Sequence, residues 1–387
     1  MTTISPNIII KALAEVLKEP AVLHEPNFAG KEWEYVKDCL DTGWVSSAGK
    51  YVEIFEDALT EFTGADFAIA TINGTAALHA CLLLVGVNPG DEVLMPALTF
   101  VGTANSAAGM GAIPHFVDVE ERTLGLDPIK LEAYLSAVTQ FDGEVCKNKV
   151  TGRKISACIP VHTFGHPVDL DPLVEVCRNF NIALIEDAAE SLGSYYKKRH
   201  TGNHGLLAAL SFNGNKTITT GGGGVILTNN PDLAARAKHL TSTAKLAHKW
   251  EYCHDKIGYN YRLPNINAAL GCAQIEQLPH FLKQKRNLAE NYEAAFAQIE
   301  RVHFFIEPDF AESNYWLNVL LLDTSVAGIR DEVLSATNDI GFMTRPAWTP
   351  MHHLKMYKDC PKMDLSNSED LCKRIINIPS SPSLSKL

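Results

Sequence analysis

The 387-residue sequence predicts an α/β fold with a mostly parallel central β-sheet. From residue 60 onward, short apolar runs alternate with helical stretches, which is the pattern of βαβ units whose sheet is buried on both faces. A long helical stretch over residues 266–300 follows, and a shorter β-α-β pattern comes after it. The length and the 46% hydrophobic content are enough for one large and one small domain.

The elements of the central sheet are predicted from apolar runs and the helical stretches between them. The strand candidates are residues 67–71, 92–95, 113–117, 156–161, 182–186, 208–212 and 224–227. The helix candidates are residues 76–87, 103–109, 129–139 and 170–180. The polar stretch 147–154 is predicted to be a surface loop.

The two ends of the chain are predicted to lie outside this sheet. Residues 7–17 are apolar but interrupted by Lys11 and Glu15, and they predict an amphipathic helix. Residues 316–322, 329–340 and 342–345 form the second β-α-β pattern. We therefore predict an N-terminal helical arm (1–24), a large domain (25–255), and a hinge helix with a small α/β C-terminal domain (256–387).

Charge and composition exclude several classes of partner. The formal net charge is -11, and the Lys and Arg residues form no long basic block of the kind that nucleic acids or lipid surfaces attract. Residues 7–17 also lack the basic leader and the small-residue cleavage site of a signal peptide. We expect a cytoplasmic protein that binds neither nucleic acid nor membrane.

The cysteines and histidines do not form a metal-binding pattern in the sequence. The nine cysteines include no C-x-x-C pair and are odd in number, which argues against a zinc site and against a disulfide framework. His162 with His166 and His352 with His353 have no carboxylate or cysteine at ligand spacing. We expect no metal.

The first motif with chemical meaning is a glycine turn between a strand and a helix. Gly74 and Thr75 follow the strand candidate 67–71 and precede an Ala- and Leu-rich helix. A helix N-terminus offers N–H groups and a positive dipole end to a phosphate, and the Thr75 hydroxyl adds a donor. The alternative is an ordinary Thr-capped helix.

The second motif is a pair of acids after a buried strand. Asp187 directly follows the strand candidate 182–186, and Glu190 comes after two alanines. Ligands of open α/β sheets bind at the carboxyl ends of strands, where a carboxylate can pair with a protonated pyridine nitrogen. An Asp that only caps a helix is an equally good interpretation of this motif alone.

The third motif is a lysine in a loop before four glycines. Lys216 follows an Asn-Gly-Asn turn after the strand candidate 208–212, and residues 221–224 are all glycine. A Schiff base requires a positioned lysine whose amine can be deprotonated by burial or by a neighbouring cation. The spacing matches neither a P-loop nor a dinucleotide-binding fingerprint.

Together and in this order, the three motifs resemble the DegT/DnrJ/EryC1/StrS family of sugar aminotransferases, which are fold-type I pyridoxal-phosphate enzymes. The resemblance extends from about residue 24 to residue 382 and includes the segments 43–47, 96–100, 160–166 and 258–262. It implies the fold-type I architecture, with a mostly parallel central sheet and a smaller C-terminal domain. It also implies the cofactor pyridoxal 5′-phosphate, with pyridoxamine 5′-phosphate as its second form.

The resemblance assigns roles to individual residues. Lys216 is similar to the Schiff-base lysine, and Asp187 to the partner of the pyridine nitrogen. The remaining residues implied in cofactor binding are Gly74, Thr75 and Ser211 at the phosphate, Phe100 on the ring, Glu190 near the ring hydroxyl, and Asn260, which reaches the phosphate of a second subunit.

Some of these residues have alternative explanations in the sequence itself. Phe100 could be a core aromatic, and Ser211 a hydrogen-bonded strand hydroxyl. His162 and His166 are either substrate-side residues or hydrogen-bonded structural histidines.

The family resemblance also implies a reaction and its substrates. It predicts a homodimer with shared active sites that transfers an amino group from glutamate to C4 of a nucleotide-linked 4-keto-6-deoxy sugar. The motifs are most similar to enzymes that act on UDP-4-keto-6-deoxy-N-acetylglucosamine in the legionaminic-acid and bacillosamine pathways. The alternatives are a GDP-4-keto-6-deoxymannose aminotransferase (a perosamine synthase) and a non-catalytic binding or regulatory protein on the same fold.

Overall fold

The computed structural model describes residues 4–385, which form alternating helices and strands. The α-helices are α1 (Pro6–Val16), α2 (Glu32–Thr42), α3 (Lys50–Thr63), α4 (Gly74–Leu84), α5 (Val101–Ala108), α6 (Pro128–Val138), α7 (Leu170–Asn179), α8 (Pro231–Thr241), α9 (Asn265–Phe296), α10 (Arg330–Asp339) and α11 (Ser366–Arg374). The β-strands are β1 (Phe67–Thr71), β2 (Glu92–Pro96), β3 (Ile113–Val117), β4 (Thr139–Asp142), β5 (Val145–Asn148), β6 (Ile155–Cys158), β7 (Ala183–Asp187), β8 (Tyr195–Tyr196), β9 (Arg199–His200), β10 (Leu207–Ser211), β11 (Gly224–Thr228), β12 (Val302–Phe304), β13 (Ala311–Glu312), β14 (Asn318–Leu322), β15 (Arg345–Pro346) and β16 (Ile375–Ile378).

A seven-stranded sheet forms the centre of the molecule, in the order β1-β11-β10-β7-β6-β2-β3. β11 runs antiparallel to both of its neighbours, and the other six strands are parallel to one another. The carboxyl ends of those six strands therefore lie at one edge of the sheet, together with the start of β11. This edge is where open α/β sheets bind ligands.

Both faces of the sheet are covered, because its strands are apolar on both sides. Along β10, Leu207 and Ala209 face one hydrophobic cluster, whereas Ala208 and Leu210 face another. Helices α4, α5 and α8 contribute to the first cluster, and α3 and α9 contribute to the second. Burial on both faces explains why the strands are continuous apolar runs without polar alternation.

A second, four-stranded antiparallel sheet has the order β12-β14-β16-β15. Helix α9 connects the two sheets: Leu278 and Phe281 pack in the core of the large sheet, and Leu288 and Tyr292 pack in the core of the small one. At about 1.5 Å per residue, a helix of this length spans close to 50 Å. Helix α1 joins the core of the small sheet, and Leu384, near the other limit of the described residues, packs against the same cluster.

The predicted α/β fold and mostly parallel sheet are confirmed, and each of the seven predicted strands overlaps an observed strand. The surface loop predicted over 147–154 is seen at residues 149–153, whereas Lys147 and Asn148 belong to β5. β4 and β5 form a hairpin, and a further bridge joins Lys147 to Lys154. Three of the four residues of β4 are exposed, and the polar residues in both strands hid the strand character of the hairpin. The predicted domain boundaries stay predictions.

Within residues 4–385, every helix is either too short or too polar to cross a lipid bilayer.

Candidate active site

A cavity of about 390 Å³ opens at the edge where the parallel strands end. Strand ends β1, β2, β7 and β10 supply most of the side chains around it, and the region after α9 supplies two tryptophans. Seven of the residues singled out in the sequence line this cavity: Gly74, Thr75, Phe100, Asp187, Glu190, Ser211 and Lys216.

The turn into α4 forms a narrow cradle with the end of β10. A Cβ atom on Gly74 would come within 3.0 Å of the Ser211 Cβ and 3.4 Å of its hydroxyl oxygen. A Cβ atom on Gly224 would come within 2.6 Å of the Gly74 nitrogen. Glycine at positions 74 and 224 therefore allows the N-terminus of α4 to lie close to the Ser211 hydroxyl. The side chain of Asn73 caps α4 by accepting a hydrogen bond from the Ala76 N–H at 2.8 Å.

Asp187 lies at the carboxyl end of β7 with only 4% of its surface exposed. Its Oδ2 accepts a hydrogen bond from the Thr103 hydroxyl at 2.7 Å, and its Oδ1 accepts one from the Ala189 N–H at 3.2 Å. Burial raises the pKa of Asp187, whereas these two hydrogen bonds and the charge of Lys216 act to lower it. A buried carboxylate of this kind is best stabilised by a cationic donor placed in the cavity.

Phe100 precedes α5 and presents its ring to the cavity, with 53% of the residue exposed. A Cβ atom on Gly102 would come within 3.0 Å of the Phe100 ring and 3.1 Å of the Thr75 hydroxyl. The absence of a side chain at Gly102 therefore brings the ring close to the start of α4. An exposed aromatic face beside a phosphate-binding turn suits a planar ligand.

The Lys216 amine lies inside the cavity between an acid and an aromatic ring. Its Nζ is 3.4 Å from Glu190 Oε1 and 3.8 Å from the centre of the Trp316 ring. The other carboxylate oxygen of Glu190 accepts a hydrogen bond from the Phe164 N–H at 2.8 Å. Burial raises the pKa of Glu190, and the charge of Lys216 opposes that shift.

Sequence reasoning missed the residues that reach the cavity from other elements. Trp316 and Trp348 belong to the region after α9, and Thr103 is a partner of Asp187 from the first turn of α5. No local motif marks either tryptophan, because its place depends on how the chain after α9 packs against the large sheet. Thr103 had a usable signal, since it follows Phe100 by one helical turn.

His162 and His166 are not among the residues that line the cavity. His162 is fully buried, and its Nε2 is 3.0 Å from Glu186 Oε2. His166 is also fully buried, and its ring packs edge-on against Phe305 and Tyr315. Both rings are therefore enclosed in the protein interior, the environment expected for the structural alternative, and their place on the substrate side stays a prediction.

Asn260 is exposed and also lies outside the set of residues that line the cavity. Its backbone forms a bridge with Ser242, and the neighbouring Arg262 forms one with Thr71. The segment is thus fixed against the end of β1, while the Asn260 side chain faces away from this subunit's own core.

The structure brings a carboxylate to the histidine pair that the sequence left without one. Glu369 Oε1 is 3.0 Å from His352 Nε2 and 3.6 Å from His353 Nε2. The positive charges of Lys362 and Lys373 act on this group, which disfavours a divalent cation there. The expectation of no metal stays a prediction.

The cavity residues fit pyridoxal phosphate. The cradle between Gly74 and Ser211 has the N–H groups and hydroxyls that a phosphate needs, and a Cβ atom would fill it. The Phe100 face suits the flat ring, and the buried Asp187 carboxylate suits a protonated ring nitrogen. Lys216 is the one lysine among the residues that line the cavity.

Comparisons with known proteins agree with this arrangement. Residues 26–386 match the model of the DegT/DnrJ/EryC1/StrS aminotransferase family. A GDP-perosamine synthase from Escherichia coli O157:H7 is 38% identical over 94% of both chains, and one from Caulobacter vibrioides is 36% identical over 93% of both. The solved structure of the aminotransferase TlmJ from Streptoalloteichus hindustanus superposes with a TM-score of 0.85 at 27% identity, covering 95% of each chain.

A family match over almost the whole chain, joined to a cavity that fits the cofactor, identifies the class of enzyme. This chain belongs to the DegT/DnrJ/EryC1/StrS aminotransferase family, the pyridoxal-phosphate-dependent enzymes that aminate nucleotide-linked sugars.

Proposed function

We propose that this enzyme transfers an amino group from glutamate to C4 of GDP-linked 4-keto-6-deoxymannose. The observation that carries the proposal is the similarity to GDP-perosamine synthases, which are 38% and 36% identical over nearly the whole chain. These relatives favour the GDP-linked sugar over the UDP-linked acetamido sugar that the sequence motifs alone favoured. Identity of this extent along both chains supports a shared substrate class.

In this proposal the strand ends hold the cofactor. The start of α4 and the hydroxyls of Thr75 and Ser211 bind its phosphate, and the Phe100 ring lies on its face. The close approach of Gly74 to Ser211 supports this assignment, because it brings the donors within reach of one anion. Each donor belongs to a rigid element, so the cofactor is held in one orientation.

When bound, pyridoxal phosphate supplies an electron sink for the carbon that loses a proton. Asp187 keeps a proton on the ring nitrogen, because its buried negative charge needs a cationic partner. Thr103 holds the Asp187 carboxylate in place through the hydrogen bond at 2.7 Å. The burial of this pair strengthens the charge interaction relative to water.

Lys216 has two roles in the proposal. Its Nζ would be the covalent attachment point of the cofactor, and as a free amine it would accept a proton and return it. Glu190 and Trp316 contact Nζ. The indoles of Trp316 and Trp348 line this side of the cavity.

We also infer a homodimer in which Asn260 serves the partner's site. The exposure of Asn260 and its position outside its own cavity support this assignment. Two sites related by a two-fold axis would each then receive the side chain of the opposite subunit.

The experiment is a substrate panel with GDP-, UDP- and dTDP-linked 4-keto-6-deoxy sugars and glutamate as donor. We expect the GDP-linked sugar to give the highest kcat/KM by tenfold or more, corresponding to about 1.4 kcal/mol of discrimination. Mass spectrometry identifies the amino sugar, and 2-oxoglutarate is counted as the second product. The same panel with alanine or aspartate tests the donor. A preference for the UDP-linked acetamido sugar would overturn the nucleotide assignment and restore the first interpretation.

A further inference from the structure

The Lys216 amine is contacted on two sides by groups that the attachment of a cofactor does not itself require. The face of Trp316 lies on one side of Nζ and the carboxylate of Glu190 on another. We propose that Trp316 and Glu190 are positioning residues, which hold the Lys216 amine over the site whenever it is not bonded to the cofactor. This inference rests on the proposed role of Lys216.

Trp316 is fixed by contacts at both its backbone and its ring. Its indole N–H donates to the Asn215 carbonyl at 2.7 Å, one residue before Lys216. Its backbone N–H donates to Asn314 Oδ1 at 2.8 Å, and its carbonyl accepts a hydrogen bond from the Lys285 amine at 3.2 Å. Trp316 has only 4% of its surface exposed, so its ring has one defined position against the loop that carries Asn215 and Lys216.

Glu190 is held by a hydrogen bond from Phe164, whose backbone has an uncommon conformation. Phe164 has a φ of 57°, in the left-handed region, and its N–H donates to Glu190 Oε2 at 2.8 Å. The carbonyl of Phe164 accepts a hydrogen bond from the Leu317 N–H at 3.2 Å. Phe164 therefore ties the acid to the residue that follows Trp316. A backbone strained in this way persists only where the surroundings determine it strongly.

The proposed reaction explains why positioning of the Lys216 amine by Trp316 and Glu190 is useful. Lys216 must leave the cofactor and then move a proton with the same amine, and a free lysine side chain has many rotamers. An aromatic face and a carboxylate both attract an ammonium, and the attraction is stronger where water is excluded. Held between them, the amine stays within reach of the carbon from which the proton is taken.

Trp348 also lines the cavity, but its indole packs on Phe164 and not on the Lys216 amine. Its ring stacks on Phe164, with centroids 4.8 Å apart and an angle of 25° between the planes. The Lys216 amine makes its cation–π contact with Trp316. Trp348 is therefore a matched control: its removal enlarges the same cavity and leaves the contact with the amine intact.

The test measures how fast Lys216 is acetylated in the full-length enzyme after glutamate has converted the cofactor to pyridoxamine phosphate. A short pulse of an amine-reactive acetyl ester is followed by peptide mass mapping, with exposed lysines as internal standards. We expect Trp316→Leu to raise the labelling rate of Lys216 roughly three- to tenfold, because the contact that occupies the amine is lost. Trp316→Phe keeps an aromatic face, so it should stay within about twofold of wild type.

The controls separate this proposal from the proposed function. Trp348→Leu should leave the labelling rate within about twofold of wild type; an equal rise in Trp348→Leu and Trp316→Leu would overturn the role of Trp316. Glu190→Gln keeps the side-chain volume, and an unchanged labelling rate there would overturn the role of Glu190. Borohydride reduction of the pyridoxal-phosphate form is the separate check on Lys216. If another lysine carries the cofactor, the proposed function fails; if Lys216 carries it and the variants label alike, only this inference fails.

Discussion

Two sides of the same cavity are built in different ways. The strand-end wall (Gly74, Asp187, Ser211 and Lys216) is built from strand ends and the turns and loops that follow them at the edge of the large sheet. The indole wall (Trp316 and Trp348) comes from the chain after α9 and depends on hydrogen bonds between distant segments. The strand-end wall thus comes from the edge of the large sheet and the loops after its strands, whereas the indole wall lies in a hydrophobic cluster that the chain after α9 shares with Leu98 and Phe164.

The sharpest test of the strand-end wall is removal of the lysine amine. Lys216→Ala should lower transamination by several orders of magnitude, because both the attachment and the proton transfer are lost. Activity is measured as 2-oxoglutarate formation, with the exposed Lys197→Ala as the control.

The sharing of sites between subunits is tested by mixing Lys216→Ala with a double variant, Asn260→Ala with Arg262→Ala. Subunit exchange between the two should restore activity if each site is shared. No recovery after proven exchange would place Asn260 outside the partner's site.

Asp187→Asn keeps the shape of the strand-end wall and removes its charge. We expect kcat to fall on the order of a hundredfold, since the ring nitrogen would no longer be held protonated. Thr103→Val, which removes only the hydrogen bond to Asp187, should cost about tenfold or less. Turnover near wild type in Asp187→Asn with cofactor bound would contradict the assigned role.

Glu186 tests the scaffold beneath the strand-end wall without touching the cavity. Its carboxylate is fully buried and accepts hydrogen bonds from His162 and from the N–H groups of Gly202, His204 and Gly205. Glu186→Gln replaces one acceptor oxygen by a donor, so we expect unfolding to become easier by about 2 kcal/mol. Chemical denaturation measures this, with Glu175→Gln on the surface as the control.

The pH dependence of the same residue gives an independent check. Burial raises the pKa of Glu186, but its hydrogen bond to the His162 ring and the charge of that ring lower it, to about 2. Because the folded-state pKa lies below the ordinary value of 4.5, its stabilising contribution is complete above pH 4.5. This contribution is lost as the pH falls toward 2. The Gln variant should lack this part of the acid sensitivity.

A further pH test concerns the indole wall. Burial lowers the pKa of Lys285, which supports Trp316, to about 7. Between pH 7 and 10.5, Lys285 is therefore mostly deprotonated in the folded chain and protonated in the unfolded chain. Because the unfolded chain then binds the extra proton, the free energy of unfolding should rise with pH over this range. Lys285→Met should remove a slope of at most about 1.4 kcal/mol per pH unit from the unfolding free energy. Lys283→Met, exposed on the same helix, should leave the slope unchanged.

The two walls also differ in how far they could be predicted from the sequence. Gly74, Asp187 and Lys216 lie directly after apolar runs, and a parallel sheet gathers such positions at one edge. Trp316 and Trp348 carry no local signal, because their contacts are made with residues a hundred or more positions away, as in the bond from Trp316 to Asn215. The hairpin of β4 and β5 was missed for a different reason, since Phe141, Val145 and Cys146 are its only apolar strand residues and they form no continuous apolar run.

The contact between Gly224 and the Asn73–Gly74 turn has a consequence for the order of synthesis. The ribosome delivers the turn early, but the strand that packs beneath it follows about 150 residues later. A nascent chain that ends before Thr228 therefore has no complete β11 on which β1 can pair. The cradle between Gly74 and Ser211 therefore closes only after most of the large sheet has been made.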